Sequence, residues 1–148
     1  MPVIFFRKVI LKDLDTLLRW RNDPETRKNS VQSDLIQRSE HEEWLKQTIQ
    51  SVQKELYIAE LEGTSIGSIR FDLNADHSWE LSWTVAPEAR GKELGTQMVS
   101  EAVRMKKARI ISKVKSANVA SQKIALKAGF RLIKSESGMM WYSFQNDV

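Results

Sequence analysis

The residues with the clearest chemistry lie in APEARGKELGTQM, positions 86 to 98, between a strand-like stretch and a helix-like one. A loop that leaves a strand and enters a helix presents unpaired N–H groups at the helix's positive end, which makes it an anion receptor. Gly91 and Gly95 let the backbone approach a ligand without an intervening side chain, and Arg90 and Lys92 add positive charge. This pattern points to phosphate binding. Glu93 is the discordant residue, a carboxylate inside a phosphate cradle. The lysine-hydroxyl ending of a Walker loop is absent, and the preceding strand belongs to a meander and not to an opening βαβ unit, which argues against a dinucleotide fingerprint. Taken alone, the loop also reads as a solvated turn with a helix cap.

Positioning this loop requires a scaffold, and the chain supplies one. VIFFRKV at 3 to 9 has the β-branched and aromatic content of a strand. Asp13 is expected to cap LDTLLRWRN, in which Leu14, Leu17, Leu18 and Arg21 share a helical face that Pro24 ends. Ser39 and Glu42 form a capping-box pattern for a second helix, EHEEWLKQTIQ. Two strand-like runs divided by Glu62 and Gly63 then read as a hairpin, and WELSWTV at 79 to 85 adds a third antiparallel strand. After the loop, GTQMVSEAVRMKKA is helical by the spacing of Met98, Val99, Ala102 and Met105. RIISKVK is a strand, SQKIALKAG a helix ended by Gly129, and FRLIKSE with GMMWYSF a closing strand pair. The predicted order is β-α-α-β-β-β-α-β-α-β-β, a single α/β domain over residues 1 to 148 with a mixed, mainly antiparallel sheet flanked by helices.

Composition limits what this domain does. A chain of 148 residues, 41% hydrophobic and 28% charged, is long enough to bury a core without a metal or disulfide staple. No cysteine is present, so thiol chemistry is excluded and a cytoplasmic setting is compatible. MPVIFFRKVIL carries no basic leader and no small-residue cleavage site, and no stretch reaches the ~20 apolar residues of a membrane span. The net charge of +4 suits an anionic ligand, but cations alternate with acids and form no block, which argues against nucleic acid.

At this point the sequence resembles a known family. TVAPEARGKELGTQMV is similar to the V-x-P-x-x-R-G-x-G-x-G loop of the GNAT superfamily of acyl-CoA N-acyltransferases, and NVASQKIALKAGF resembles the N-x-x-S helix that ends in G-F in those proteins. The predicted element order is also similar to that fold and covers almost the whole chain. The resemblance implies an acetyl-CoA co-substrate and no metal. It implies that the backbone of Trp83 to Val85 pairs with the pantetheine arm, that Arg90, Gly91, Lys92, Glu93, Leu94, Gly95 and Thr96 hold the pyrophosphate, and that Asn118 and Ser121 flank the thiol end. Glu93 stands where the family usually has glycine. A carboxylate ~4 Å from a phosphate in water costs about 1 kcal/mol per unit charge, so Glu93 is expected to point to solvent while its N–H still serves the ligand.

Acetyl transfer to nitrogen needs a neutral amine and an acceptor for its proton, because an alkyl ammonium near pKa ~10 is mostly protonated at neutral pH. Glu80, on the strand ahead of the loop, resembles the acidic residue that many family members carry there and is the expected base; a surface glutamate paired with a cation is the competing reading. The family's tyrosine, seven residues after the motif asparagine, is replaced by Ala125. Ser121 is expected to steady the departing thiolate, unless it serves only the helix start. His41 reads as a base, a substrate contact or a partly exposed polar residue, and Trp44 as a substrate contact whose spacing also suits the core.

The opening W-R-N-D-P-E-x-R and the later H-x-x-W look like the N-acetyltransferases that modify a nucleotide-linked amino sugar in pseudaminic acid biosynthesis. By that resemblance Arg21, Asn22 and Arg27 would meet a nucleotide or sugar, as guanidinium groups grip phosphate in pairs of hydrogen bonds. The R-N opening and Ser121 also resemble the ribosomal-protein N-terminal acetyltransferases, so a protein N-terminus is the second acceptor and a non-catalytic acyl-CoA sensor the third reading. Homodimers are common in such folds.

Overall fold

The computed structural model describes residues 2–146. Seven strands form one sheet: β1 (Ile4–Lys8), β2 (Lys54–Leu61), β3 (Thr64–Leu73), β4 (Trp79–Val85), β5 (Arg109–Lys115), β6 (Arg131–Glu136) and β7 (Met139–Gln145). Their spatial order is β1-β2-β3-β4-β5-β7-β6. Five α-helices decorate it: α1 (Leu14–Asn22), α2 (Pro24–Lys28), α3 (Arg38–Gln50), α4 (Leu94–Ala102) and α5 (Val119–Lys127). The mixed α/β, mainly antiparallel architecture is the one predicted. The Glu62–Gly63 turn has positive φ at both residues, 51° and 81°, which matches the right-handed twist of the β2–β3 hairpin.

Local details differ from the sequence reading. Asp13 does not cap α1 with its side chain; its carboxylate instead takes two hydrogen bonds from Arg7, at 2.8 and 2.9 Å, and one from the Ile10 N–H. Burial pushes the Asp13 carboxyl up, but these donors outweigh it and hold the group below its usual range. Ser39 lies inside α3, whose N-cap is Gln37, so the expected capping box is absent. Pro24 does more than stop α1. It opens α2 at its first position, with Asp23 capping from Glu25 and Thr26 N–H. The helix after the loop is also shorter than predicted, passing into a 3-10 turn at Val103–Met105.

The feature that builds a site is the join between β4 and β5. These strands are parallel and pair only at Trp79 with Ile110 and Glu80 with Ile111. Beyond Glu80 they separate, while β4 keeps its antiparallel pairing to β3 as far as Val85 with Gly67. Buried Ser112 donates from Oγ to the Leu81 carbonyl, 2.8 Å away, and satisfies it where the split begins. One edge of Ser82 to Val85 is thereby left without a strand partner among the described residues. Side chains of β4 alternate. Trp83 and Val85 face α5 and α4, whereas Ser82 and Thr84 line a space walled by α1 and α3.

Candidate active site

Two cavities meet on either side of β4, and Trp83 and Thr84 line both. The first, about 340 Å³, runs from the split strand to the N-terminus of α4 and the first turns of α5. Glu93 precedes α4 in the left-handed region, φ 62° and ψ 13°, and no side chain caps the helix. By helix geometry the first-turn N–H groups of α4 are left for a ligand. Gly91, at φ 77°, supplies the other left-handed residue of the turn. Gly95 is required for closeness, since a Cβ there would sit 2.6 Å from Ile124 Cδ1 and 3.1 Å from Val85 Cγ2. The backbone of this loop follows a path suited to glycine although position 93 is glutamate.

The side chains around it are less uniform than the sequence suggests. The Glu93 carboxylate is exposed and lies 3.3 Å from Lys127 Nζ. Arg90, which the sequence offers to a phosphate, donates at 2.6 Å to Asp23 and at 3.0 Å to the Thr26 hydroxyl, and pairs with Glu25 at 3.3 Å. It therefore ties the loop to α2. Lys92 is exposed and outside the cavity lining, whereas Lys123 and Lys127 of α5 are part of it. Sequence reading missed these two lysines; their four-residue spacing behind the N-x-x-S motif is the signal that places them on one helix face. At the far end the Trp83 indole N–H donates to Ser121 Oγ at 3.3 Å, and Asn118 caps α5 by accepting from the Ser121 N–H. Ala125, one turn on, is fully buried and has no polar group to offer.

The second cavity, about 390 Å³, lies on the α1 and α3 side of β4, where the sequence places the acceptor. Arg21, His41 and Trp44 all line it, joined by Arg70, Glu40 and Gln32, which the sequence did not single out. Strand pairing brings Arg70 in, opposite Ser82, a contact invisible from one segment alone. His41 is stacked on Trp44, ring centroids 5.1 Å apart, and the Arg70 guanidinium lies 5.8 Å from the Trp44 ring centroid. Arg21 gives one nitrogen to the Gln32 carbonyl, while its Nη1 is buried without a protein partner, as is His41 Nε2. Burial, then the charge of Arg27, holds the Arg21 guanidinium below its ordinary pKa. Burial, then Arg21, does the same to His41.

Three of the predicted residues lie elsewhere. Asn22 forms both hydrogen bonds of a two-way clasp with the Ile36 backbone, at 2.9 and 2.8 Å. Arg27 donates from Nε to the Ser33 carbonyl at 3.0 Å. Both residues hold the 29–37 loop over the cavity and are not part of its lining. Glu80 points to the acceptor face but lies 3.4 Å from Lys113 Nζ and lines neither cavity.

A strand with one free edge, ending at an uncapped helix N-terminus and a left-handed turn, fits the amide-rich arm and pyrophosphate of coenzyme A. With an amine-sized cavity across the same strand, the class is an acyl-CoA-dependent transferase. The family model described as Acetyltransferase (GNAT) domain matches residues 4–131, and the chain belongs to that family. It is an N-acetyltransferase that uses acetyl-CoA as co-substrate. No curated protein matches the sequence.

Solved structures share the fold at low identity. An aminoglycoside acetyltransferase, AAC(6')-Ib, with ribostamycin and coenzyme A aligns at TM-score 0.83 and 20% identity, over 97% of this chain and 93% of that one. Spermidine N-acetyltransferase from Vibrio cholerae, with coenzyme A and spermine, aligns at 0.83 and 16%, over 95% and 92%. A ribosomal-protein α-N-acetyltransferase with coenzyme A aligns at 0.84 and 13%, over 98% and 95%. Among the described residues, no helix is long and apolar enough to cross a membrane.

Proposed function

We propose that this acetyltransferase acetylates a primary amine on a small anionic molecule, a nucleotide-linked amino sugar. The observation that carries this reading is the buried, unpartnered Nη1 of Arg21 in a cavity whose other arginine, Arg70, is paired with Asp72 at 3.1 Å and whose one lining carboxylate is the exposed Glu40. A charged donor left unpaired when buried costs more than the ~1–3 kcal/mol of a neutral one, and a phosphate oxygen would relieve it. Trp44 supplies a flat apolar face beside the arginines, while Ser68, Ser82 and Thr84 supply hydroxyls suited to a sugar. A polycationic acceptor such as spermine or an aminoglycoside would meet the unpaired charge of Arg21 here. In the cofactor cavity, the Ser82–Val85 edge takes the pantetheine arm, the α4 N-terminus the pyrophosphate, and Ser121 the leaving sulfur.

Thiol release from acetyl-CoA tests the reading against three acceptor sets: nucleoside-diphosphate amino sugars, the polyamines and aminoglycosides, and peptides with free N-termini. Turnover confined to the first set is expected. Preference for peptides would support a protein N-terminus, to which the lack of a phenol at Ala125 also points, and coenzyme A binding with no turnover by any amine would support a sensor.

A further inference from the structure

Any N-acetyltransferase must dispose of the amine proton, and the acceptor cavity contains one group suited to that task. We propose that His41, and not Glu80, accepts the proton of the acceptor amine. This rests on the acceptor cavity described above but not on the identity of the acceptor.

The argument is geometric first. Glu80 is held by Lys113 and lines neither cavity, so an amine in the acceptor space does not meet it. Of the cavity's carboxylate and imidazole, Glu40 is exposed at the rim, whereas His41 is 5% exposed. Its ring is fixed against Trp44, and Nε2 is buried with no protein partner. A buried nitrogen of this kind is costly to leave unsatisfied, and an incoming amine N–H would satisfy it. Trp83 and Thr84 line both cavities, so a thioester held along the Ser82–Val85 edge would lie across the same strand from the imidazole.

The charges facing the ring keep it in the basic, neutral form. Arg21 from α1, backed by Arg27, opposes a second cation; Arg70 from β3 is itself paired with Asp72 at 3.1 Å, and Glu40 on the same helix is the carboxylate that lines the cavity. Burial, then Arg21, lowers the His41 pKa from 6.5. The ring also lies in the first turn of α3, where the helix dipole disfavours positive charge. In the reaction, the amine lone pair forms the C–N bond at the thioester carbonyl. The C–S bond then breaks and sulfur leaves as thiolate. The proton released by nitrogen passes to His41 Nε2 and on to the thiolate, restoring the neutral imidazole.

The test is the pH profile of kcat and KM for whichever amine turns over, compared among wild type, His41→Gln and Glu80→Gln. His41→Gln should lower kcat roughly 100-fold or more with KM little changed, and should abolish the acid-side fall in rate expected of wild type as His41 takes up a proton. Glu80→Gln should stay within about threefold of wild type, since removing an ion pair beside the cavity leaves the proton acceptor in place. Protection of His41→Gln by coenzyme A against heat establishes that the variant is folded. An unchanged acid limb in His41→Gln, or the large loss falling on Glu80→Gln, overturns the assignment. If nucleotide sugars fail and another amine is acetylated, the proposed acceptor is wrong and His41 is judged on that amine. If no amine turns over or the variant does not fold, NMR titration of the wild-type imidazole decides. A midpoint below 6.5 upholds a neutral acceptor and one at or above 6.5 overturns it.

Discussion

The two sides of β4 solve their binding problems by different means. On the cofactor side the work falls to backbone: a strand edge released at Glu80, a left-handed turn at Gly91 and Glu93, and the open N-terminus of α4. Side chains there mostly hold one another, Arg90 with Asp23 and Glu93 with Lys127. On the acceptor side the order is reversed. Arg21, Arg70, His41 and Trp44 come from α1, β3 and α3 and project into a cavity whose roof is pinned by Asn22 and Arg27. Cofactor recognition is therefore expected to tolerate side-chain replacement at exposed loop positions, and acceptor recognition is not.

The sharpest way to break the comparison is to move the cofactor-side backbone. A Cβ at Gly67 would lie 2.3 Å from the Thr84 carbonyl oxygen and 2.9 Å from Met98 Cε, so Gly67→Ala must push β3 from β4. A stability loss of about 3 kcal/mol in a denaturant titration is expected, with coenzyme A protection lost as well. Next in size, Arg21→Met should raise the KM for an anionic acceptor roughly 30-fold while coenzyme A affinity stays constant, as removal of a charge-assisted contact of ~2 kcal/mol requires. A matching loss of coenzyme A affinity would show that the two sides are not separable.

Smaller effects sharpen the picture. Asp13→Asn should destabilise the chain by about 1–2 kcal/mol at neutral pH, because Arg7 loses one of its two carboxylate partners, keeping Glu60, and one oxygen no longer serves both Arg7 and the Ile10 N–H. The Asp13 carboxyl is held below 3.8 in the folded state, so its contribution is fully present above that pH and disappears as pH falls through the lower folded value. The variant should lack this part of the acid sensitivity in melts from pH 5 downward. Glu93→Gly is the mildest. The backbone at φ 62° already follows a glycine-like path, and the carboxylate is exposed against Lys127. Coenzyme A affinity should change by less than about threefold and stability by less than about 1 kcal/mol, measured by calorimetry and thermal melts. A gain beyond tenfold would mean that the carboxylate faces the phosphates.

The same contrast explains what could be read from the sequence. Gly91, Gly95 and Asn118 announce the cofactor side because backbone geometry restricts residue type at each of these positions, and such local signals survive within a short segment. The strands were legible for a similar reason, as alternation and the Glu62–Gly63 turn are local. Arg70 was not, since only the β3–β4 register sets it beside Ser82 and the cavity. Nor was the true engagement of Asn22, Arg27 and Arg90, whose partners lie 14, 6 and 67 residues away. A cap also looks alike whether or not the helix starts there: Asp13 had a stronger partner in Arg7, and Ser39 is the second residue of α3.

The separation of the two sites is tested most directly by calorimetric titration of a nucleoside-diphosphate amino sugar into protein saturated with coenzyme A. The predicted result is one-to-one binding in the presence of coenzyme A that Arg21→Met weakens at least tenfold, with coenzyme A affinity unchanged. Competition between the nucleotide sugar and coenzyme A would contradict it, because the nucleotide would then be occupying the pyrophosphate loop and not the cavity of Arg21.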